Sequence, residues 1–256
     1  MTNPNKPLNG RTAIVTGSGQ NIGKAIALLF AANGANVVVN GHRNQEALNA
    51  VVEEARQLGG QAMAVMADVS VPAAVHSMVD KTVKAFGKVD ITVSNVSIRP
   101  KQAFLDISVE DWQNVLNTNL NAAFYLAHAV VPHMMVQKWG RLIQISGDDA
   151  FCGENKRVHN ITAKLGLHGL TRGLAYELGC HGITANTVAP GVTDTTRITE
   201  NYPDLEQWYQ HFSETLPVRR IGRVAEIAEA CLYLAKETSG FVTGQVIHVN
   251  GGSYMG

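Results

Sequence analysis

A glycine-rich stretch near the start of the chain restricts the fold more than any other feature. Residues 16–23 read TGSGQNIG, between the short run Thr12–Val15 and a helical pattern of apolar residues that ends at Gly34. A short, largely apolar run with β-branched residues predicts a buried parallel strand. A glycine turn that leads from such a strand into a helix directs backbone N–H groups and the positive end of the helix dipole toward an anion. The stretch therefore predicts a βα unit that binds the pyrophosphate of a dinucleotide.

Strand-like and helical patterns alternate along nearly the whole chain. The strand-like runs are residues 12–15, 36–39, 62–66, 89–93, 141–145, 183–188 and 245–249. Long helical patterns cover about 111–137 and 158–178, and no linker or shift in composition separates one part of the chain from another. Such alternation implies a parallel sheet covered by helices on both faces, with ligands at the carboxyl ends of the strands. We therefore predict a single domain, residues 1–256, with a doubly wound α/β fold of about seven parallel strands.

Composition narrows the classes of partner. Lys and Arg together number 21, as do Asp and Glu, so the formal charge is zero. Nucleic-acid grooves and anionic membrane surfaces need a basic excess, and no apolar run is long enough to span a bilayer. The polar residues 1–9 do not resemble a signal peptide, and the three scattered cysteines are typical of reduced thiols. We predict a cytoplasmic protein that binds neither nucleic acid nor membrane, and the histidine spacings indicate no metal site.

The residues after the second and third predicted strands bear on cofactor choice. An acidic residue after the second strand typically binds the ribose 2′-hydroxyl of NAD, whereas a basic residue accepts the 2′-phosphate of NADP. This chain has Gly41, His42 and Arg43 there and no carboxylate. NADP(H) is therefore favoured over NAD(H), the alternative being that Arg43 is simply solvated. Asp68 and Val69, after the third strand, suit contact with the adenine ring.

On these and later motifs the chain resembles the short-chain dehydrogenase/reductase family, over practically its whole length. The glycine loop resembles the family's TGxxxGxG motif, with Asn21 in place of the middle glycine. Asn95 matches the NNAG segment, Asn119 the helix asparagine, and residues 186–195 (NTVAPGVTDT) the motif that meets the nicotinamide. The resemblance implies a Rossmann-type fold and an NAD(P)(H)-dependent oxidoreductase. The predicted cofactor-binding residues are Gly17, Ser18, Asn21, Ile22, Gly23, His42, Arg43, Asp68, Val69, Asn95, Lys164, Pro190, Gly191, Thr193 and Thr195.

The family's catalytic motif is altered in this chain. In the family a tyrosine transfers the proton, a lysine four residues later lowers its pKa, and a serine about thirteen residues earlier orients the substrate oxygen. Lys164 stands at the lysine position, but Asn160 stands at the tyrosine position and Gly147 at the serine position, with Ser146 one step early. A carboxamide cannot be tuned into an acid as a phenol can, although it can donate a hydrogen bond to an oxyanion.

A reduction in this site therefore either takes its proton from another group or uses a substrate that needs no proton. His159 titrates near neutrality but points about 100° away from residue 160 on a helix, and a solvated or subunit-facing histidine is the alternative. Asp148 and Asp149 are further candidates, although surface carboxylates are the simpler interpretation. We predict Lys164, Asn119, Asn160 and His159 as the catalytic set, with Lys164 also holding the nicotinamide ribose.

Residues 193–220 occupy the place of the family's substrate lid. Five aromatic or imidazole side chains lie there: Tyr202, Trp208, Tyr209, His211 and Phe212. They could line an apolar pocket, supply a replacement acid or pack a short helix onto the body. The family also implies a homotetramer formed through the helices at 111–137 and 158–178. The small residues Ala122, Ala123, Ala127 and Ala129 would permit close approach there, or would pack against the protein's own sheet.

Three functions remain open. The first is an NADP(H)-dependent oxidoreductase with altered proton chemistry, acting on a small molecule that needs no strong acid, such as a protonated imine or a conjugated alkene. The second is a non-redox lyase or isomerase on the same scaffold. The third is an inactive cofactor-binding relative. The fold alone does not choose between them, because function depends on the site.

Overall fold

Parallel strands form one sheet through the middle of the molecule. The computed structural model describes residues 6–196 and 204–256, and within them seven strands are ordered β3-β2-β1-β4-β5-β6-β7, with every neighbouring pair parallel. The strands are β1 (Thr12–Val15), β2 (Asn36–Gly41), β3 (Ala62–Met66), β4 (Ile91–Ser94), β5 (Gly140–Ile145), β6 (Ile183–Pro190) and β7 (Val246–Val249). The predicted doubly wound fold is confirmed.

Helices cover both faces of this sheet. They are α1 (Asn21–Ala32), α2 (Gln45–Gln57), α3 (Pro72–Phe86), α4 (Val109–Leu116), α5 (Ala122–Gln137), α6 (Asp149–Cys152), α7 (Val158–Leu178), α8 (Leu205–Thr215) and α9 (Val224–Ala235). Alternate residues of β1 point to opposite faces, so Ala13 and Val15 join a core with α1, α2 and α9, whereas Ile14 joins one with α3, α5 and α7. Among the described helices, none is both long and apolar enough to cross a membrane.

The strand order reverses next to β1, and this reversal determines where a ligand-binding crevice forms. The chain builds β1, β2 and β3 toward one edge, then returns to the other side of β1 to build β4 through β7. The loops after β1 and β4 diverge at that point and leave a crevice at the carboxyl ends of the strands, which is where open parallel sheets bind ligands. The glycine-rich loop lies at the end of β1 and thus borders this crevice.

The long helix predicted over 111–137 is interrupted. Residues Asn117–Asn121 form a π-helical turn between α4 and α5. A π turn inserts one residue into the helix and often occurs at functional sites. Ala122, Ala123, Ala127 and Ala129 on α5 are all buried within the protein's own fold, so the packing alternative for these alanines holds. Assembly into a tetramer stays a prediction.

Candidate active site

The glycine loop is shaped by close backbone contacts. Gly17 has a φ of +61°, and a Cβ on Gly23 would lie 2.3 Å from the carbonyl oxygen of Gly17. Asn21 has a φ of +51°, in the left-handed region that asparagine tolerates better than most residues. The Asn95 side chain donates to the carbonyl oxygens of Thr16 and Gly17, each at 3.1 Å, and ties this loop to the end of β4. Asn21 therefore takes a left-handed backbone conformation within this turn.

The start of α1 is open to an anion. In the described part of the chain no side chain caps this helix N-terminus, so its first N–H groups face the crevice. The Ser18 hydroxyl is used internally instead: it donates to the Val15 carbonyl at 2.7 Å and accepts from the backbone N–H of Asn40 at 3.0 Å. A cradle that a Cβ at residue 23 would obstruct, next to an uncapped helix, fits a dinucleotide pyrophosphate.

The residues predicted for adenosine recognition lie together beyond β2 and β3. His42 and Arg43 are exposed, and the Nδ1 atom of His42 is 3.5 Å from Oδ2 of Asp68. Burial raises the pKa of Asp68, but hydrogen bonds from Ser70 and the charges of His42 and Arg43 outweigh it and lower the pKa overall. Val69 is buried and packs in the core. This edge therefore presents the exposed side chains of His42 and Arg43 beside the Asp68 carboxylate.

A cavity of about 450 Å³ lies at the carboxyl ends of β4, β5 and β6. It brings together Ile22, Asn95, Asn160, Lys164, Pro190, Gly191, Thr193 and Thr195 from the predicted set. A second cavity of about 860 Å³ adjoins it and is lined by Gly17, Asn21 and Gly23, with Ile22, Asn95 and Thr195 shared between the two. The predicted residues that line neither cavity are Ser18, His42, Arg43, Asp68, Val69, Asn119 and His159.

Lys164 supplies a buried cation to the first cavity. The side chain is nearly inaccessible, and its Nζ donates to the carbonyl oxygen of Ile145 at 2.7 Å. Burial lowers the pKa of Lys164 to about 8, the charge of Asp149 opposes this shift, and the charge of Arg99 adds to it. The ammonium is therefore held in place but can lose its proton at mildly alkaline pH.

Asn160 is among the residues that line the same cavity, and its side chain is buried. Its amide Nδ2 donates to the carbonyl oxygen of Ile98 at 3.3 Å. The residue is fully buried, and within residues 6–196 and 204–256 no donor reaches its Oδ1. The sequence suggested that this amide could donate to an oxyanion, whereas the structure uses an N–H of the amide inside the protein.

Asn119 lines neither cavity but is bonded to Ile98, which lines the second one. The residue lies in the π-helical turn. Its Oδ1 accepts a hydrogen bond from the backbone N–H of Ile98, and its Nδ2 donates one to the Ile98 carbonyl, both at 2.8 Å. The Ile98 carbonyl thus receives hydrogen bonds from Asn119 and Asn160 together. Asn119 fixes the loop after β4 and, through it, the orientation of Asn160.

His159 is placed away from both cavities. It is fully buried, its Nε2 lies 3.0 Å from Oε1 of Gln102, and its Nδ1 accepts the backbone N–H of Asn160 at 2.9 Å. Gln102 in turn donates to Asp111 at 3.0 Å. Burial lowers the pKa of His159. The structure does not bring this histidine to the candidate reacting centre, nor is it solvated or directed at another subunit.

The paired aspartates, in contrast, both line the first cavity. A Cβ on Gly147 would lie 2.5 Å from Oδ1 of Asp149, so this carboxylate fills the space next to the side-chain-free residue. Burial raises the pKa of Asp148, although its hydrogen bond from Ser253 opposes the shift. The sequence favoured surface carboxylates here, because the four-residue helix α6 that carries Asp149 is too short to show a periodic pattern.

Helix α8 lies within the segment 193–220 for which a lid was predicted. Trp208 and Phe212 line the cavity with their rings in edge-to-face contact, 4.7 Å between centroids. Tyr209 does not line it; its hydroxyl donates to the carbonyl of Thr195 at 3.3 Å. Tyr202 lies outside the described residues. Of the three alternatives for these aromatics, a pocket wall is what Trp208 and Phe212 form.

His168 on α7 was not predicted from the sequence; it contacts Ser146, a residue that lines the cavity. Its Nε2 is 2.8 Å from Oγ of Ser146, and its ring stacks on Phe151. Burial lowers the pKa of His168 to about 4, and the neighbouring charges of Arg172, His248 and Lys164 act in the same direction. The only sequence signal was a histidine among apolar residues, which does not separate a core residue from a functional one.

His168 should make the protein sensitive to acid. The unfolded chain binds a proton near pH 6.5 and the folded chain only near pH 4, so stability falls as pH drops through that window. The loss amounts to about 3 kcal/mol. Urea unfolding of wild type and His168→Leu between these pH values measures it. The variant should lose the share of the pH dependence that comes from His168, while His159 and His248, whose pKa values burial also lowers, keep theirs. An unchanged slope would contradict this assignment.

The geometry defines a class: a doubly wound parallel sheet with an open glycine loop after β1 and a lysine-bearing cavity at the strand-order reversal. Residues 17–254 match the family model described as enoyl-(acyl carrier protein) reductase. The chain is 39% identical over 245 residues to the hydroxy(phenyl)methylsuccinyl-CoA dehydrogenase subunit BbsD of Thauera aromatica, covering 96% of this chain and 97% of that protein. It is 35% identical to the 3-oxoacyl-(acyl-carrier-protein) reductase FabG of Staphylococcus epidermidis, covering 96% and 99%.

A solved structure agrees with these sequence matches. The crystal structure of a putative short-chain alcohol dehydrogenase from Sinorhizobium meliloti 1021 superimposes with a TM-score of 0.92 at 31% identity, covering 97% of this chain and 98% of that one. This chain belongs to the short-chain dehydrogenase/reductase family. It is an oxidoreductase of that type, a family whose members use nicotinamide cofactors and act on small molecules.

Proposed function

We propose that this protein is an NADP(H)-dependent oxidoreductase whose proton chemistry differs from the family pattern, because Asn160 and Gly147 replace the catalytic tyrosine and serine. The observation that carries the proposal is the position of Lys164. Its buried side chain lines a cavity together with Ile22 at the end of the glycine loop and with Trp208 and Phe212 of α8, and this supports a nicotinamide ring bound beside it. A buried ammonium is costly, so its position in this cavity supports a role in holding the cofactor.

Several groups support cofactor binding in this proposal. The glycine loop and the uncapped start of α1 would hold the pyrophosphate, and Lys164 would hold the nicotinamide ribose. The segment from Pro190 to Thr195, after β6, would face the nicotinamide. Reduced NADP bound there supplies a hydride. The residues of the chain then have to orient the hydride acceptor, exclude water and stabilise the charge that the acceptor gains with the hydride.

The protein groups around the reacting centre favour an acceptor that needs no strong acid. The polar groups there are the buried amide of Asn160, the carboxylate of Asp149, and the ammonium of Lys164, one of whose three N–H donors is bonded to the Ile145 carbonyl. None of these is a tuned phenol. Trp208 and Phe212 cover the cavity and keep water from the transferred hydride. The substrate is therefore reduced by hydride transfer without proton donation from a tyrosine.

Replacing Arg43 by glutamine tests the choice of NADP(H). A 2′-phosphate bound by this exposed guanidinium loses a charge-assisted hydrogen bond, so the Kd for NADPH should rise about tenfold or more while that for NADH stays unchanged. Nucleotide fluorescence titrations measure both constants. Arg56→Gln, an exposed arginine near the other end of α2, is the matched control and should alter neither. Equal weakening of NADPH and NADH would reject Arg43 as the phosphate partner.

The same titration tests the function itself. Tight NADPH binding followed by substrate-dependent loss of its absorbance is expected for the oxidoreductase. Turnover with no net change in cofactor redox state would instead identify a lyase or isomerase. Binding of NADPH without turnover of any acceptor would identify an inactive relative, and absence of binding would exclude all cofactor-dependent functions.

A further inference from the structure

One arginine lies where the two cavities meet. Arg99 follows β4, its side chain is exposed, and it lines both the first cavity and the second. Its positive charge is near enough to Lys164 to contribute to the lowered pKa of that lysine. Arg99 therefore acts electrostatically on the cavity in which Lys164 is buried, and its side chain is accessible to a ligand.

Buried groups fix the backbone around Arg99. The amides of Asn119 and Asn160 both donate to the carbonyl oxygen of Ile98, and Asn119 also accepts the backbone N–H of that residue. The guanidinium of Arg157, which is almost inaccessible to solvent, donates to the carbonyl oxygen of Arg99 itself. The loop is thus anchored at two consecutive residues, and a preorganised cation costs less to immobilise on binding.

The Arg99 guanidinium has no partner in the described part of the chain. Within residues 6–196 and 204–256 it forms no ion pair and donates no hydrogen bond. Exposed arginines of this kind are common on protein surfaces, where water solvates them. This one differs because buried side chains anchor its backbone and because it borders two cavities.

The carboxylates of the first cavity are engaged with other groups. Oε1 of Glu154 lies 3.7 Å from Nε of Arg157. The charge of Asp149 acts on Lys164, whose pKa it raises against the effect of burial. Burial raises the pKa of Asp148, so this carboxyl group loses its proton least readily. None of the three is paired with Arg99.

The second cavity has an excess of positive charge. Among the described residues one carboxylate lines it, that of Asp111, which already accepts a hydrogen bond from Gln102 at 3.0 Å. Three cations line it: Arg99, Lys101 and Arg157. This balance favours an anion. The pyrophosphate of the cofactor would take the end formed by Gly17 and Gly23, and these glycines do not line the first cavity as Arg99 does.

We propose that Arg99 is a specificity-determining residue that binds an oxyanion of the substrate, a carboxylate or a phosphate group. A guanidinium matches either group with two parallel N–H donors. An anion held where the cavities meet leaves the rest of the substrate in the first cavity, with Lys164 and the rings of Trp208 and Phe212. This proposal rests on the oxidoreductase function proposed above.

Two matched pairs of probes test the oxyanion and its source. In the first pair, trans-4-oxo-2-pentenoate carries a carboxylate where trans-3-penten-2-one has a methyl group. In the second, 2-oxopropylphosphonate stands for a phosphate and 2-butanone is its neutral counterpart. Binding is measured by calorimetry on the protein saturated with NADP⁺, so that the cofactor occupies the glycine loop and the readout does not depend on turnover.

The wild type should bind at least one charged probe about tenfold or more tighter than its neutral counterpart. Arg99→Gln should remove this preference and leave the neutral probes and the Kd for NADP⁺ unchanged. Arg99→Lys keeps the charge but not the paired donors, so it should retain part of the preference. Arg172→Gln, an exposed arginine on α7 that lines neither cavity, is the matched control. Arg99 is exposed, so its variants are expected to fold.

The outcomes separate this proposal from the one it rests on. If no probe binds, if charged and neutral probes bind equally, or if Arg99→Gln keeps the preference, the role of Arg99 is wrong and the oxidoreductase proposal stands. Weaker NADP⁺ binding in Arg99→Gln would instead assign this arginine to the phosphates of the cofactor and also overturn the proposal. If the wild type does not bind NADP⁺, both proposals fail.

Discussion

Replacing Lys164 by methionine is expected to lower kcat/KM for NADPH-dependent reduction at least about a hundredfold, because a misplaced nicotinamide loses its productive geometry. The same change should leave stability equal or higher. Lys164 is buried, and removing a desolvated ammonium in favour of an apolar chain of similar size relieves its burial cost. Steady-state kinetics measure kcat/KM, which should fall, and urea unfolding measures the free energy of unfolding, which should stay equal or rise.

The pH dependence gives this prediction a second test. Because burial lowers the pKa of Lys164 to about 8, the ammonium is present at neutral pH and is lost as pH rises above that value. NADPH affinity should therefore fall above about pH 8 in wild type and stay flat in Lys164→Met. Lys81→Met, an exposed lysine on α3, is the control. Full activity in Lys164→Met would contradict the role given to this residue.

Replacing Gly23 by alanine should abolish cofactor binding and destabilise the fold. The added Cβ would lie 2.3 Å from the Gly17 carbonyl oxygen and 2.8 Å from Cα of Ser18, both backbone atoms that cannot move aside without opening the loop. Overpacking of this kind costs about 1–3 kcal/mol. The displaced loop would also lose the cradle for the pyrophosphate, so the Kd for NADPH should rise at least about a hundredfold.

Gly179→Ala is the matched control for this substitution. Gly179 has helical backbone angles at the end of α7, and a Cβ there meets nothing within 4 Å. Alanine should therefore be neutral or stabilise by about 1 kcal/mol. Thermal unfolding and NADPH titration of both variants give the comparison. Unchanged binding in Gly23→Ala would show that the loop does not carry the cofactor.

The sheet could be predicted because its signals are local and repeated. Each buried strand is a short apolar run between turns, and the alternation with helical patterns determines parallel pairing. Only the ends of the predicted strands differ from the structure. For example, the strand predicted at residues 89–93 is Ile91–Ser94. The break between α4 and α5 could not be predicted. Residues Asn117–Asn121 carry no proline or glycine that would mark a break, and the bonds of Asn119 within the π turn are to Ile98 in a distant loop.

The site was only partly predictable, for a related reason. Sequence spacing gives the position of Lys164 and Asn160 but not how the Asn160 amide is oriented, since that depends on Ile98 from a distant loop. It likewise gives the neighbourhood of His159 but not its burial against Gln102. Asp149 needed the structure as well, because the space beside Gly147 is visible only when both residues are placed.

The most direct test of the central claim is hydride transfer itself. The protein is incubated with NADPH deuterated at the nicotinamide C4, together with a 3-oxoacyl thioester, an enoyl thioester or protonated 2-methyl-1-pyrroline. The deuterium content of the products is measured by mass spectrometry. We expect deuterium in the product of at least one acceptor, lost in Lys164→Met. NADPH that binds tightly but passes no deuterium to any of them would contradict an oxidoreductase and leave a non-redox or inactive protein.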